Sequence, residues 1–214
     1  MGRGFGLTLV VIALTPTLGR SLPDSKLAVR VYNYAHVSHT TLASAEAEAG
    51  RIFGAARVDS VWLDCSEPRP HLQSGTSQDC AGPEAGATVT LRILPDSSPA
   101  KAAFRDTVFG FADGSVMATV FYGRITDLVH GLDWNNLAIP VILGEAISHE
   151  LGHLLLGPSA HSPAGIMCAN WDPSHLRSAL RGHQYFTAER SNQIRNEVLR
   201  RSSFEQNELV KAQE

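Results

Sequence analysis

Three segments in the first half of the chain show the apolar and polar pattern of strands that bury one face. They are residues 27–34, 58–64 and 87–94. The first alternates apolar side chains with more polar ones, as a half-buried strand requires, and the third is rich in β-branched residues. Pro95 follows the third segment and favours its end there. The pattern therefore predicts three strands.

Two further strands are predicted around a short reversal. Thr107–Ala112 and Val116–Arg124 flank Asp113 and Gly114, a dipeptide that favours tight turns between antiparallel strands. With the earlier segments, the chain would form a twisted mixed sheet of four to five strands.

Apolar residues at helical spacing predict a helix near each end of the chain. The first covers residues 41–54, with Thr40 or Thr41 available as its N-terminal cap. The last covers residues 187–201 and is followed by a polar tail, about residues 203–214, which we expect to fray.

A central helix is predicted between Pro140, which suits a first helical turn, and Gly157, which suits a helix end. Its polar side carries Glu145, His149 and His153. The opposite side is an apolar stripe of Leu143, Ile147, Leu151, Leu154 and Leu155. We expect the stripe to pack on the sheet and the histidines to face a cleft. The order of elements indicates an α+β fold with helices at the N-terminus, the centre and the C-terminus.

Composition limits the classes of protein to which this chain can belong. Its 214 residues, 43% of them hydrophobic, fit one globular domain, which we place at residues 21–214. The net charge is −3 and the basic residues form no cluster beyond Arg200 and Arg201. This excludes nucleic acid as the expected partner. We expect the chain to act as a monomer.

Residues 1–20 have the pattern of a secretory signal peptide. One arginine precedes an apolar run, and small residues follow near Gly19. The run is too short and broken for a stable membrane span. We therefore expect a secreted or periplasmic protein without a membrane span after cleavage.

The three cysteines fit an exported chain. Cys65 and Cys80 bracket a short loop and could form a disulfide, which would stabilise the fold by roughly 3 kcal/mol through loop closure. Cys168 is left over, and we interpret it as a buried thiol, the alternative being that it approaches a metal.

The central helix carries the most specific chemistry in the sequence. His149 and His153 are four residues apart, so both project from one face and can bind a single metal ion. Glu150 flanks that face and can act as a base. Neutral imidazole is a preferred ligand of Zn²⁺, and a catalytic zinc also needs a third protein ligand and one open position.

The residues after the helix supply a candidate for this third ligand. Gly157 and Pro158 force the chain to reverse, so that His161 can return to the metal, and Met167 follows in a Gly-Ile-Met turn. This arrangement resembles the metzincin clan of zinc metalloproteases. The clan has intervals of three residues from second histidine to glycine and from glycine to third histidine, whereas both intervals are four here.

The resemblance implies a zinc-dependent endopeptidase. Zn²⁺ would be held by His149, His153 and His161, and Glu150 would activate a zinc-bound water for hydrolysis of a peptide or protein substrate. It also implies that Thr107–Ala112 is an edge strand that pairs with the substrate.

Other residues near the motif receive weaker interpretations. The resemblance places Trp171 beside the pocket for the substrate side chain that follows the scissile bond, although it could equally be a core aromatic. Glu145 could support a ligand imidazole through a hydrogen bond, although solvation is the commoner fate of such a residue. We interpret His175 and His183 as surface or structural residues, and Tyr185 lies too far along the chain for a catalytic assignment.

Two alternative hypotheses remain open at the level of sequence. One is a zinc peptidase of another clan in which a carboxylate such as Asp172 or Glu189 is the third ligand. The other is an exported binding protein without enzymatic activity that uses zinc for stability.

Overall fold

A computed structural model describes residues 25–66, 80, 87–100, 104–105 and 107–211, with the backbone alone from residue 205 onwards. The predicted signal segment, residues 1–20, lies outside the described residues, as do most of the loop between Cys65 and Cys80 and the end of the predicted tail.

The sheet has five strands. They are β1 (Lys26–Asn33), β2 (Asp59–Asp64), β3 (Ala87–Leu94), β4 (Gly110–Asp113) and β5 (Met117–Phe121). The strand order is β2-β1-β3-β5-β4, with parallel pairing throughout except between β4 and β5, which are antiparallel. The predicted mixed sheet is confirmed, and β4 lies at one of its edges.

In the part of the chain that the structure describes, five helices accompany the sheet. They are α1 (His39–Ala55), α2 (Tyr122–Gly131), α3 (Ala138–Leu156), α4 (Pro173–Leu180) and α5 (Ala188–Lys211). The molecule therefore has a mixed α/β fold in which α1, α3 and α5 are the helices that the sequence predicts.

Two helices were not predicted, and several boundaries differ. The predicted strand over Val116–Arg124 ends at Phe121, because the next residues form α2 and bury Arg124, Ile125 and Val129. No element was predicted for the segment that contains α4, and α5 continues ten residues beyond the predicted end at Arg201.

The cap of α1 also differs from the prediction. Ser38 caps this helix, and its hydroxyl oxygen accepts a hydrogen bond from the Thr41 N–H at 3.2 Å. Helix α1 thus begins before Thr40 and Thr41, which lie within its first turn.

One hydrophobic core lies between the sheet and the helices. The inward face of β3 is buried, whereas the side chains between are half-buried. The predicted stripe of α3 belongs to the same core, as do apolar residues of α1 and α5. Helix α3 is long and apolar enough to cross a membrane, but 83% of its most apolar window is buried inside the fold. A central helix of a globular core has the same length and composition.

The structure joins Cys65 to Cys80 through a disulfide. Cys65 directly follows β2, so the disulfide attaches Cys80 to the end of this edge strand. Cys168 is a free, half-buried thiol whose Sγ donates to the Asn170 carbonyl at 3.4 Å.

Candidate metal centre

Three histidine side chains converge beside the end of α3. The Nε2 atoms of His149 and His153 are 3.1 Å apart, and the Nε2 atoms of His153 and His161 are 3.2 Å apart. All three ligand atoms lie within 4.8 Å of one another. The structure thus brings together the three residues that the sequence indicates as metal ligands.

Backbone carbonyl groups orient the two helical imidazoles. The Nδ1 atom of His149 lies 2.8 Å from the Ile166 carbonyl oxygen, and that of His153 lies 3.2 Å from the Gly157 carbonyl oxygen. A carbonyl oxygen can only accept a hydrogen bond, so both Nδ1 atoms carry the proton. In the neutral rings, Nε2 therefore carries the free lone pair. This is the tautomer in which Nε2 can bind a metal ion.

The electrostatics of the site match this state. Burial lowers the pKa of His149 to about 4, although the bond to Ile166 opposes the shift. Burial likewise lowers the pKa of His153. Both imidazoles are therefore neutral near pH 7, and lone pairs face each other at about 3 Å without a proton between them. A shared cation relieves this repulsion.

The geometry fits zinc. Tetrahedral Zn²⁺ with Zn–N bonds of about 2.0–2.1 Å holds its ligand nitrogens about 3.3 Å apart, close to the two measured separations. Three nitrogens leave the fourth position open. The three histidines can therefore hold one zinc ion, with an open position of the kind that catalytic sites keep.

The reversal after α3 depends on glycine and on a contact with α5. Gly157 has φ of 96°, a conformation that favours glycine, and its N–H donates to the His153 carbonyl at 2.9 Å. His161 is exposed, and its carbonyl oxygen accepts a hydrogen bond from Arg190 of α5 at 3.2 Å. The loop that presents His161 is thus held at both ends.

The Gly-Ile-Met segment lies directly beneath the histidines. Gly165 has φ of 74°, and a Cβ there would collide with the Tyr185 carbonyl oxygen, which accepts the Ile166 N–H at 3.0 Å. Met167 is fully buried. A Cβ on Gly152 would lie 2.5 Å from the Met167 sulfur, so the glycine in α3 leaves the space that this methionine fills.

Glu150 points into the same cleft. It is 7% exposed, and burial raises its pKa to about 8. A Cβ on Gly110 would lie 2.7 Å from the Glu150 Cγ and 2.9 Å from its Oε1. The carboxyl group therefore packs against the backbone at the start of β4, and a side chain at position 110 would displace it.

The cleft has a volume of about 1130 Å³. Its walls include all three histidines, Glu150, residues 107–112 around β4 and residues 169–172. The strand predicted to pair with substrate, Thr107–Ala112, is shorter in the structure, since β4 starts at Gly110, but its residues do line the cleft. Another part of the cleft wall is formed by an irregular segment that contains Trp171.

Neither alternative third ligand belongs to the histidine group. Asp172 lines the cleft, but its Oδ1 caps α4 by accepting from the N–H groups of Ser174 and His175, each at 2.8 Å. Glu189 lies in the first turn of α5 and accepts from Gln193 at 3.3 Å. Within the described parts of the chain, His149, His153 and His161 are the side chains grouped for metal binding.

One sequence interpretation near the site needs correction, and another is narrowed. Neither oxygen of Glu145 has a hydrogen-bond partner, so this residue does not support a ligand imidazole through a hydrogen bond. It is fully buried rather than solvated, because α1 and α4 cover that side of α3. His175 is 8% exposed and lies behind the cleft wall, which fits the structural and not the surface alternative of its interpretation.

The fold and site together define a mixed α/β domain with a three-histidine group able to hold zinc. No protein-family model matches the chain, and no curated protein matches it in sequence. Among solved structures it is similar to archaemetzincin from Methanopyrus kandleri, with 16% identity and a TM-score of 0.50 over 83% of this chain and 98% of the other.

A zinc-dependent peptidase from Methanocorpusculum labreanum is also similar, with 16% identity and a TM-score of 0.49 over 78% of this chain and 99% of the other. At such identities, the similarity to archaemetzincin shows a shared fold. The site itself rests on the residues of this chain.

Proposed function

We propose that the protein is an exported zinc-dependent endopeptidase. One observation carries the proposal: three Nε2 atoms converge in a cleft that also contains the Glu150 carboxyl group and an edge strand. A ligand group of three histidines with one open position is typical of catalytic zinc and not of structural zinc, whose four positions are filled by protein.

His149, His153 and His161 would hold the ion. When bound, zinc supplies Lewis acidity, which lowers the pKa of a water molecule and polarises a carbonyl oxygen. The positive charge of the bound ion would favour the ionised form of Glu150, and this carboxylate would take a proton from the attacking water and pass it to the departing amine. The bonds from Nδ1 of His149 and His153 to carbonyl groups keep both lone pairs directed at the ion throughout.

We propose that β4 binds the substrate backbone. This strand pairs with β5 through one edge and lies at the end of the sheet order, beside Glu150. An extended peptide can add to such an edge through main-chain hydrogen bonds, while side-chain pockets supply specificity. A substrate with N-methylated amides at the positions facing β4 should show a lower kcat/KM than its unmethylated match.

The proposed export is supported by the signal-like segment at residues 1–20 and by the disulfide between Cys65 and Cys80, a bond typical of oxidising compartments. Fractionation of the expressing cell, with mass spectrometry of the N-terminal peptide, tests it. We expect the chain outside the cytoplasm, starting near residue 20. An intact N-terminus in the cytoplasmic fraction would contradict export.

The central experiment compares the wild-type chain with Glu150→Gln. We expect the variant to bind one zinc ion per chain and to lose at least about 10³-fold in peptide cleavage, since it keeps the shape of the site but not the base. Zinc content is measured by elemental analysis and cleavage by an unbiased peptide library. Normal cleavage by the variant would refute the mechanism, and zinc binding without any wild-type cleavage would favour the non-enzymatic alternative.

A further inference from the structure

Two polar side chains face each other in the core behind the cleft. Glu145 of α3 is fully buried and His175 of α4 is 8% exposed, and the Glu145 Oε2 lies 3.9 Å from the His175 Nε2. Both carboxyl oxygens and this ring nitrogen have no hydrogen-bond partner. A buried polar group without a hydrogen-bond partner destabilises the fold. Because the two groups lie close together, a hydrogen bond between Glu145 and His175 would satisfy both.

Burial lowers the pKa of His175, and the charge of Asp172 at the start of α4 opposes that shift. The charges that act on Glu145 come from α1. Glu48 raises the pKa of Glu145, and Arg51 lowers it, but burial is the largest influence and brings that pKa to about 8. Arg51 itself is bound to Glu48 at 2.6 Å and lies over the Tyr185 ring. Glu145 is thus a neutral carboxylic acid near pH 7, able to donate a hydrogen bond to a neutral imidazole after a shift of about 1 Å.

His175 is also the inner member of a stack of three rings. Its ring lies parallel to the Trp171 indole, with centroids 5.3 Å apart and planes 14° apart. Trp171 also stacks on Phe109, just before β4, with centroids 5.4 Å apart and planes 29° apart. The indole also meets the His149 ring edge-on at 6.1 Å. Ring contacts therefore lead from His175, beside buried Glu145, through Trp171 to His149 and to Phe109 next to β4.

Trp171 needs this support because of its place in the chain. Residues 169–172 belong to no helix or strand, yet Trp171 forms part of the cleft wall. A side chain on irregular backbone keeps one orientation only where its neighbours fix it. Here the ring neighbours are Phe109, which also lines the cleft, His149, which meets the indole edge-on, and His175, which lies behind the cleft wall.

We propose that Glu145 and His175 are positioning residues that hold Trp171 in the wall of the cleft. Glu145 fixes the imidazole of His175, and this imidazole fixes the indole by stacking. The expected effect on substrate binding rests on the proposed peptidase function, whereas the expected effect on the orientation of the Trp171 indole does not. Neither residue contacts zinc, so both should influence KM more than metal content or kcat.

The test uses a chain in which Trp171 is the sole tryptophan. The sequence has three, so Trp62→Phe and Trp134→Phe give this background. His175→Ala removes the stack, His175→Phe restores a ring, and His183→Ala is a matched control on an exposed histidine of the loop after α4. The readouts are the emission maximum of Trp171, its quenching by acrylamide, zinc content, KM and kcat.

We expect His175→Ala to shift Trp171 emission to the red, to increase quenching about twofold and to raise KM about 2- to 10-fold, the range of an aromatic contact. Zinc content should stay at one per chain and kcat within about twofold. His175→Phe should recover the wild-type emission and KM. If His175→Ala does not fold, His175→Leu removes the ring while it fills the space.

Glu145 is tested through the same readouts. Glu145→Gln keeps a polar partner for His175 and should preserve the emission of Trp171. Glu145→Leu removes that partner and should reproduce the change of His175→Leu, and the double variant should be no worse than either, since residues that act in one chain of contacts are not additive.

The proposal is overturned if the emission, quenching and KM of the ring-deleting variants equal those of His183→Ala. It is also overturned if the Glu145→Leu and His175→Leu effects simply add. Should no chain cleave any peptide, the peptidase assignment fails, but the fluorescence of Trp171 still decides whether Glu145 and His175 hold it.

Discussion

The two sides of the histidine group are built in opposite ways. His149 and His153 belong to a 19-residue helix with almost every side chain buried, and their spacing alone directs them to one point. His161 is exposed on an irregular loop, and its position depends on Gly157 and Arg190. A regular helix gives the site rigidity, whereas the loop gives it access from the cleft and depends on a few tertiary contacts.

The largest expected effect comes from removing ligands on each side. His153→Ala should weaken zinc binding by about 100- to 1000-fold, because a buried helical site loses its central ligand. His161→Ala should weaken it less, by about 10- to 100-fold, because water can enter at an exposed position. Competition with a fluorescent chelator measures both affinities, with His183→Ala as the control. Equal losses would remove the contrast between helix and loop, and no loss in His161→Ala would favour a carboxylate ligand.

A smaller effect is expected where the helix side meets the edge strand. Gly110→Ala would place a Cβ 2.7–2.9 Å from Glu150 and 2.5 Å from the Thr119 carbonyl oxygen, so the carboxyl group must move. We expect kcat to fall about 10- to 100-fold with zinc content unchanged. The control is Gly131→Ala, where a Cβ meets nothing within 4 Å. A kcat equal to that of the control would show that the position of Glu150 is not set by β4.

The contact between Gly152 of α3 and Met167 of the Gly-Ile-Met segment should affect the free energy of unfolding. Gly152→Ala would place a Cβ 2.5 Å from the Met167 sulfur, and we expect a loss of about 1–3 kcal/mol in the free energy of unfolding from overpacking. Gly54→Ala, in open space on α1, should instead stabilise by up to about 1 kcal/mol. Denaturant unfolding of both variants measures the difference. An unchanged free energy of unfolding in Gly152→Ala would show that the Met167 side chain can move aside without destabilising the fold.

The smallest effect concerns the tie between α5 and the end of α3. Glu197 binds Arg200 and Arg201, and Arg201 donates to the Leu154 carbonyl at 2.6 Å. The hydrogen bond with Arg200 is the largest cause that lowers the pKa of Glu197 from 4.5 to about 2. A lowered folded-state pKa adds stability above pH 4.5 that is lost as the pH falls towards 2.

Glu197→Gln should therefore be less stable than the wild-type chain at pH 7, by up to about 1 kcal/mol, the range of screened surface pairs. The difference should shrink between pH 4.5 and 2. Thermal unfolding across this range, with Glu189→Gln as the control on the same helix, measures it. A difference that does not depend on pH would show that packing, not charge, is responsible.

The spacing of apolar and polar residues along the chain predicted the elements that depend on local sequence. The three long helices, the early strands and the helical histidines follow from spacing along the chain. Helix α4 also left a signal, since Asp172 caps it and Pro173 occupies its first position, but a single turn of apolar residues is too short to stand out. Helix α2 was missed because it begins at Tyr122, directly after the last residue of β5, so no loop residues separate the two elements.

The wall of the cleft could not be predicted in the same way. Glu145 shares the polar side of α3 with the histidines, so the sequence indicates solvent or a ligand contact for it. Only the packing of α1 and α4 against that side shows that it is enclosed and faces His175. Such contacts join residues 30 positions apart, and no local pattern carries them.

The orientation of His149 and His153 by backbone carbonyl groups has a consequence for sequence change. Every residue type has a carbonyl group, so the acceptor at Ile166 does not depend on which side chain occupies that position, whereas the acceptor at Gly157 also needs a residue that adopts positive φ. Substitution of Ile166 by another buried apolar residue keeps the acceptor for His149. Substitutions in the loop can therefore leave the orientation of the two imidazoles unchanged, provided that the backbone path returns those two oxygens to the rings.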